Sequence, residues 1–363
     1  MVLFLDHITK IFGKRVVAVD DLTLKLEKGV FMGLLGPSGC GKTTTLRIVA
    51  GLEKPTKGKV YINNKDVTEL PAEERNVSLA FQFPVIYPMS VSENIAFPLR
   101  VRKWSEADIN ARVKEIAEFM GISELLTKYP SQLTLAEKQK VALARAFARE
   151  ADIYMLDEPL SAVDPFTRME LRRKLREAKE KFGYTIIYVT HDQAEAMTLC
   201  DVVAVMSEGR LLQYDTPANI YSRPAHTFVA WFIGNPGMNL IESEVESSNG
   251  ELSLLLGKVV KYSLEEYESQ LAKLVGKKVI FGIRPEDIAI STKKVEGKEW
   301  VPSVCSLIEG FSANLMIVHA KIGDSNLRVK CPIMPLKEGQ EIWLHLPKSK
   351  ISLFDQETKR RIF

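Results

Sequence analysis

The stretch Gly36-Pro37-Ser38-Gly39-Cys40-Gly41-Lys42-Thr43 decides how this 363-residue chain folds. It follows an apolar run, Val30 to Leu35, that reads as a buried strand. It precedes Thr44 to Gly51, which reads as a helix ended by glycine. Glycines at the first and sixth positions let the backbone bend so that several N–H groups point inward and cradle phosphates. The Lys42 ammonium can reach the β- and γ-phosphates, and the Thr43 hydroxyl can ligate Mg²⁺. The helix that begins at Thr44 adds its positive N-terminal end. Residues 36–44 are therefore expected to bind a nucleoside triphosphate.

The rest of the composition narrows the class. A chain this long exceeds the usual single-domain size, so two domains are expected. Apolar content of 46% and charged content of 26% are those of a globular protein, and a net charge of +3 gives no support for nucleic-acid binding. No apolar run approaches the roughly 18 residues of a spanning helix, and Met1 to Lys10 lacks the pattern of a signal peptide. The four cysteines have no metal-type spacing, and a disulfide at Cys40 would obstruct the phosphate loop, so a reducing, cytosolic compartment is expected.

Outward from the loop, Val2 to Leu5 and Val16 to Leu26 read as strands of an N-terminal sheet. Between them Phe12 is either core, which its residue type favours, or a platform for an adenine ring. Val77 to Phe81 is a further strand ending at Gln82, whose amide could reach a metal or water at the γ-phosphate. Pro84, Pro88 and Pro98 then predict an irregular connection. Ser105 to Met120 reads as an amphipathic helix, and Thr134-Leu135-Ala136-Glu137 as a capping box opening another. Ile153 to Leu156 is an apolar strand running into Asp157-Glu158. Asp157 is placed to hold Mg²⁺ and Glu158 to polarise the attacking water. Asp164 caps a helix ending at Gly183. Thr185 to Val189 is a strand followed by His191, a candidate for contact with the γ-phosphate. Val202 to Met206 reads as the last strand of this half, with a tight turn at Ser207 to Arg210. From about Asn235 the pattern turns to short alternating segments, from Leu252 to Leu256 through Glu341 to Leu346, which predict a β-rich sandwich or barrel.

The phosphate loop, Gln82, the Leu133-containing helix start, Asp157-Glu158, Ser161-Ala162-Val163-Asp164 and His191 follow one another in the order of an ABC-transporter ATPase. Over essentially the whole chain the sequence resembles the ATP-binding subunits of sugar-type importers, the maltose and glycerol-phosphate class. Thr227 to Gly234 and Gly282-Ile283-Arg284-Pro285-Glu286-Asp287 resemble that class's junction and C-terminal domain. The resemblance implies an α/β P-loop fold with a RecA-like core, an antiparallel β subdomain and a helical subdomain at about 85–150. It places this cassette at 1–235 and an OB-type (TOBE-like) domain at 236–363. ATP and Mg²⁺ are the implied cofactors. Phe12 would stack on adenine, reversing the reading from residue type. Thr43, Gln82 and Asp157 would serve the metal, Gln82 would sense the γ-phosphate, and His191 would bind it. Lys42, Glu158 and His191 form the catalytic set. Asp164 and Thr134 to Glu137 would lie at a head-to-tail dimer interface. The implied partners are membrane permease subunits, a second ATPase subunit and, indirectly, an extracytoplasmic solute-binding protein. The implied place of work is the cytoplasmic face of the membrane.

Two departures stand out. The family signature Leu-Ser-Gly-Gly-Gln reads here Leu133-Thr134-Leu135-Ala136-Glu137. Cβ atoms replace bare backbone where a γ-phosphate should approach, and Glu137 places a charge where an anion should sit. The chain is thus expected to complete a partner's site poorly, which favours pairing with a non-identical ATPase. The segment Phe83 to Val91 is also one residue short and lacks a His after Pro84, in the region expected to receive the permease. Polyamine, iron, molybdate or sulfate import stays open, as does a soluble ATPase switch without a permease.

Overall fold

The computed structural model describes residues 1–13, 15–248, 251–263, 267, 271–295, 297 and 299–363. The chain divides into two compact units, Met1–Ala218 and Asn219–Phe363. None of the helices in the described residues is long and apolar enough to cross a membrane.

In the first unit, β1 (Leu3–Phe12), β2 (Val16–Leu26), β4 (Lys57–Ile62) and β5 (Lys65–Asp66) form an antiparallel sheet in the order β2-β1-β4-β5. A second, six-stranded sheet has the order β10-β9-β3-β8-β7-β6. Its strands are β3 (Phe31–Leu35), β6 (Val77–Ala80), β7 (Ile153–Asp157), β8 (Ile186–Thr190), β9 (Val202–Ser207) and β10 (Arg210–Asp215). β3 runs parallel to both β8 and β9, and β7 lies parallel between β6 and β8. β3, β7 and β8 are buried at every residue, as continuous apolar runs in a parallel sheet should be. Their carboxyl ends deliver Leu35, Asp157 and Thr190 to one edge of the sheet, where such folds bind ligands. Leu3, Leu5, Leu24 and Val60 of the first sheet share a core with Met32, Leu34 and Ile187 of the second and with Leu46 of the helix that follows β3.

The helices are α1 (Lys42–Ala50), α2 (Val91–Val101), α3 (Glu106–Met120), α4 (Leu135–Ala148), α5 (Pro165–Phe182) and α6 (Gln193–Leu199). α5 carries the punctuation expected of it: an Asp164 cap, Pro165 in the first turn and Gly183 in the left-handed conformation after its end. α1 ends against Arg75, whose buried guanidinium donates to Ile48 O (2.7 Å) and Val49 O (2.9 Å), satisfying two orphan carbonyls of the helix.

Two expectations are corrected. The proline-containing stretch after Gln82 is not irregular throughout, because α2 begins at residue 91 and contains Pro98. A capping box supports it: Ser90 Oγ accepts from Glu93 N, and Glu93 Oε2 accepts from Ser90 N. Val202 to Met206 is not the last strand of its half, because Glu208 and Gly209, both at positive φ, turn the chain into β10.

The second unit begins seventeen residues before Pro236, after Ala218, where the division falls. Two further α-helices among the described residues are α7 (Pro217–Ser222) and α8 (Thr227–Phe232). Arg284 explains the membership of 221–233 in this unit. Its buried guanidinium donates to Tyr221 O (2.7 Å), Ala230 O (3.2 Å) and Ile233 O. Two antiparallel five-stranded sheets follow, in the orders β13-β12-β11-β14-β20 and β15-β19-β16-β17-β18. They comprise β11 (Asn239–Ser248), β12 (Glu251–Leu256), β13 (Val260–Ser263), β14 (Lys278–Ile283), β15 (Ala289–Ser291), β16 (Trp300–Gly310), β17 (Leu315–Ile322), β18 (Ser325–Pro332), β19 (Glu341–His345) and β20 (Ser352–Asp355). One core, including Ile241, Leu254, Phe281, Val301, Val318 and Leu344, joins both sheets.

Candidate active site

The phosphate loop is fixed by packing as well as by backbone freedom. Gly41, at φ 104°, sits so close to β2 that a Cβ there would lie 2.3 Å from Ala18 O. A Cβ at Gly36 would lie 2.3 Å from Met206 O. The β9–β10 turn holds the loop from the other side through Gly209 N donating to Cys40 O (3.1 Å). Lys42 is buried, and its Nζ donates back to Gly36 O (2.8 Å) and Pro37 O (2.9 Å), which draws the loop around the ammonium. Pro37, Ser38 and Gly39 complete the loop, and Thr44 lies in the first turn of α1. Burial pushes the Cys40 thiol up, so it stays protonated within the loop.

At the end of β7, Asp157 Oδ1 accepts from Thr43 Oγ1 at 3.1 Å. Burial raises the Asp157 carboxyl above its ordinary range, with the Thr43 hydrogen bond opposing the shift. A buried carboxylate beside a hydroxyl, with Lys42 in the same loop, is a hard-oxygen donor set that fits Mg²⁺ held with phosphate oxygens.

Glu158 follows at φ 45°, a left-handed conformation that costs a non-glycine residue of order 1–3 kcal/mol. It is held by Glu158 N donating to Val189 O (3.0 Å) and by Ser161 N (3.2 Å) and Oγ (3.0 Å) donating to Glu158 O. This turn brings the carboxylate to two other predicted residues. Glu158 Oε2 lies 3.1 Å from His191 Nδ1 and accepts from Gln82 Nε2 at 3.3 Å. The Glu158 side chain is 17% exposed and that of His191 55%, so the cluster opens to solvent on the histidine side.

Phe12 ends β1 opposite Val16 and is 41% exposed, with Lys10 Nζ 4.9 Å from its ring centroid. The core reading drawn from residue type is therefore wrong for Phe12, because the ring lies exposed at the turn end of the β1–β2 hairpin. Ala18, two residues after Val16, abuts Gly41, so the hairpin end adjoins the loop.

The other predicted residues stand on different elements. Thr134 caps α4: its Oγ1 accepts from Glu137 N (3.2 Å), and Glu137 Oε2 accepts from Thr134 N (2.7 Å). The Thr134 N–H first, and then the Thr134 hydroxyl donating to Glu137 Oε2 (3.0 Å), hold the Glu137 carboxyl below its ordinary range. Leu135 is 51% exposed and Ala136 follows it in the first turn. Asp164 caps α5 by accepting from Phe166 N and Thr167 N, both at 3.0 Å. Lys140 Nζ, 2.8 Å from Glu170 Oε2, ties α4 to α5.

Residues 19–161 match the ABC transporter family, and residues 234–288 match the MalK OB fold domain. The trehalose/maltose import ATP-binding protein MalK of Thermococcus litoralis is 40% identical, over 99% of this chain and 99% of its own. The chain belongs to the ABC transporter ATPases. The sn-glycerol-3-phosphate import ATP-binding protein UgpC of Salmonella typhimurium is 38% identical, again over 99% of both chains. A dimeric ATP-binding cassette in a post-hydrolysis state, bound to ADP and Pi, matches with TM-score 0.54 and 28% identity, over 59% of this chain and 98% of its own. CbiO1 from Clostridium perfringens matches with TM-score 0.57 and 27% identity, over 60% and 90%. The expected architecture, a P-loop ATPase followed by an OB-fold domain, is thereby shown.

Reading the sequence of this ABC ATPase did not single out Glu195. It lies behind His191, buried, accepting from Tyr188 Oη (2.7 Å) and Thr190 Oγ1 (2.9 Å). The available signal was Asp192-Gln193-Ala194-Glu195, a helix start with an acid at its third position, which reads locally as a capping box and not as a buried network.

Proposed function

We propose that this chain is the ATP-hydrolysing motor subunit of an importer for a sugar or sugar phosphate. One observation carries the chemistry: the fold gathers Gln82, Glu158 and His191 around one carboxylate oxygen, beside the phosphate loop and Asp157. Lys42 and the loop N–H groups bind the β- and γ-phosphates, and Phe12 stacks on the adenine. Glu158 orients and polarises the attacking water, while His191 and Gln82 contact the γ-phosphate region. Thr43, Asp157 and Gln82 would hold Mg²⁺, which supplies charge neutralisation between the phosphates. The import names of the full-length relatives support a solute of the sugar or glycerol-phosphate type.

The motor is proposed to work in pairs, with Thr134 to Glu137 and Asp164 facing the partner's nucleotide. Leu135 and Ala136 make this chain a weak contributor to that second site, so a non-identical ATPase with an intact signature is the proposed partner. The permease is proposed to dock at a groove of about 310 Å³ beside α2, lined by Tyr87, Phe97, Val101 and Arg145. That places the chain at the cytoplasmic face of a membrane. Residues 236–363 are proposed as a regulatory domain.

The test is reconstitution of the complex in vesicles, with ATP inside and labelled maltose, trehalose or glycerol phosphate outside. ATP-dependent uptake that Glu158→Gln abolishes supports the reading. Robust ATP hydrolysis by a chain that no membrane fraction retains and no permease binds would replace it with a soluble switch.

A further inference from the structure

Glu195 keeps a carboxylate almost out of water, at 5% exposure, and its hydrogen-bond partners Tyr188, Thr190 and Arg172 are not residues assigned to nucleotide. Burying that charge costs several kcal/mol unless hydrogen bonds replace the water. The replacements are specific. Tyr188 Oη (2.7 Å) and Thr190 Oγ1 (2.9 Å) donate to Oε2, and Arg172 Nη2 (3.2 Å) donates to Oε1. Burial, helped by Glu195, holds the Tyr188 phenol well above its ordinary range, so it remains a donor.

These bonds close around one residue. Thr190 Oγ1, while donating to Glu195, accepts from Asp192 N (3.0 Å), and Asp192 Oδ1 accepts from Glu195 N (3.2 Å). Thr190, immediately before His191, is thus tied to the Glu195 carboxylate directly, and Asp192, immediately after it, through the Thr190 hydroxyl, the Glu195 N–H and Arg172. The His191 ring has solvent on its open side and Glu158 Oε2 at 3.1 Å on the other. Glu158 is thus the ring's hydrogen-bond partner, and the backbone that carries the ring runs between Thr190 and Asp192, both bonded to Glu195. Arg172 also reaches Asp192 Oδ2 (3.4 Å) and stands on α5, the helix that Asp164 caps.

We infer that Glu195 is a positioning residue for His191, acting through Thr190 and Asp192, and that Arg172 links this clamp to α5. The inference rests on the reading of His191 as part of the hydrolytic site. Misplacing a catalytic group by a fraction of an ångström costs rate without removing ground-state contacts, so kcat should fall while ATP binding holds.

The experiment measures steady-state ATP hydrolysis by the full chain carrying Glu195→Gln, Thr190→Val or His191→Ala, and by the double variants. Glu195→Gln is expected to lower kcat about tenfold, with KM for ATP within about twofold of the parent. Added to His191→Ala, neither Glu195→Gln nor Thr190→Val should lower the rate further, because both act through the same ring. Thr190→Val keeps the Tyr188 and Arg172 bonds to Glu195, so it tests the relay even where Glu195→Gln fails to fold. Thr190→Ser, retaining the hydroxyl, should recover most of the rate. Multiplicative losses in the doubles, or single variants within about twofold of the parent kcat, would overturn the inference. A His191→Ala chain with parental kcat would instead overturn the reading of His191.

Discussion

Asp157 lies where the fold disfavours the ionised carboxylate that a cation requires. Its carboxyl is raised by burial above the ordinary 3.8, so below that value folded and unfolded chains are alike protonated and nothing is lost. As pH rises through the folded value, the folded state must ionise in a poor environment and stability declines. Asp157→Asn is therefore expected to raise the melting temperature of the nucleotide-free chain at pH 7 to 8, by about 2–4 °C for each kcal/mol relieved. The gain should shrink towards pH 4, and Mg²⁺-dependent hydrolysis should be lost; calorimetry across pH checks the sign. Phe12 makes the opposite case, because an exposed ring adds little to stability. Phe12→Ala should leave the melting temperature unchanged and raise KM for ATP about tenfold, within the 1–3 kcal/mol of one base–aromatic stack. The residue type alone pointed to core, and only the ordered motif set corrected it. Nothing local distinguishes an apolar residue that seals a hairpin from one that waits for a ring.

α2 shows what the sequence hides at the next scale. Three prolines between 84 and 98 read as breakers, yet Pro98 lies inside the helix. The helix tolerates it because the Ser90–Glu93 capping box holds its start and Asn94, fully buried, donates to Tyr87, Met89 and Ser90 carbonyls just before it. The pattern Ser90-Val91-Ser92-Glu93 was visible; the side-chain network of Asn94 was not, because it depends on a loop folding back. Ser90→Ala should cost about 1 kcal/mol of helix stability. Since α2 lines the proposed permease groove, pull-down of permease should weaken more than ATP hydrolysis. β10 was missed for a related reason: its residues are half-buried without clean alternation, and the Glu208-Gly209 turn, though legible, did not say that a strand follows. At α4 the elements can be set against each other. Leu135→Gly with Ala136→Gly should cost about 1 kcal/mol per site in helix stability. The same pair should increase ATP-dependent association in solution if the Cβ atoms are what obstructs a partner's phosphate.

For the whole molecule, the sheet that carries the site was the most legible part, because buried parallel strands are continuous apolar runs and their ends carry the chemistry. The sequence reading ends these strands at Leu35, Leu156 and Val189, each within one residue of the observed ends at Leu35, Asp157 and Thr190. The division between units was less so. Arg284 gathers Tyr221, Ala230 and Ile233 into the second unit, and a buried arginine that caps distant carbonyls leaves no local pattern. Deleting residues after Asn235 would therefore leave 221–233 without its anchor, and truncation at Ala218 is the cleaner probe of regulation. Unchanged regulation after that truncation would reject a regulatory role for the second unit. Glu158, held in a strained turn between Gln82 and His191, is proposed to activate the water that cleaves ATP. The most direct test of that role is the hydrolysis rate and ATP affinity of Glu158→Gln, measured on the same preparation with Mg²⁺. ATP should bind about as tightly as to the parent chain, with turnover lower by at least about a hundredfold. Turnover near the parental rate would contradict that role and move the general base to another residue.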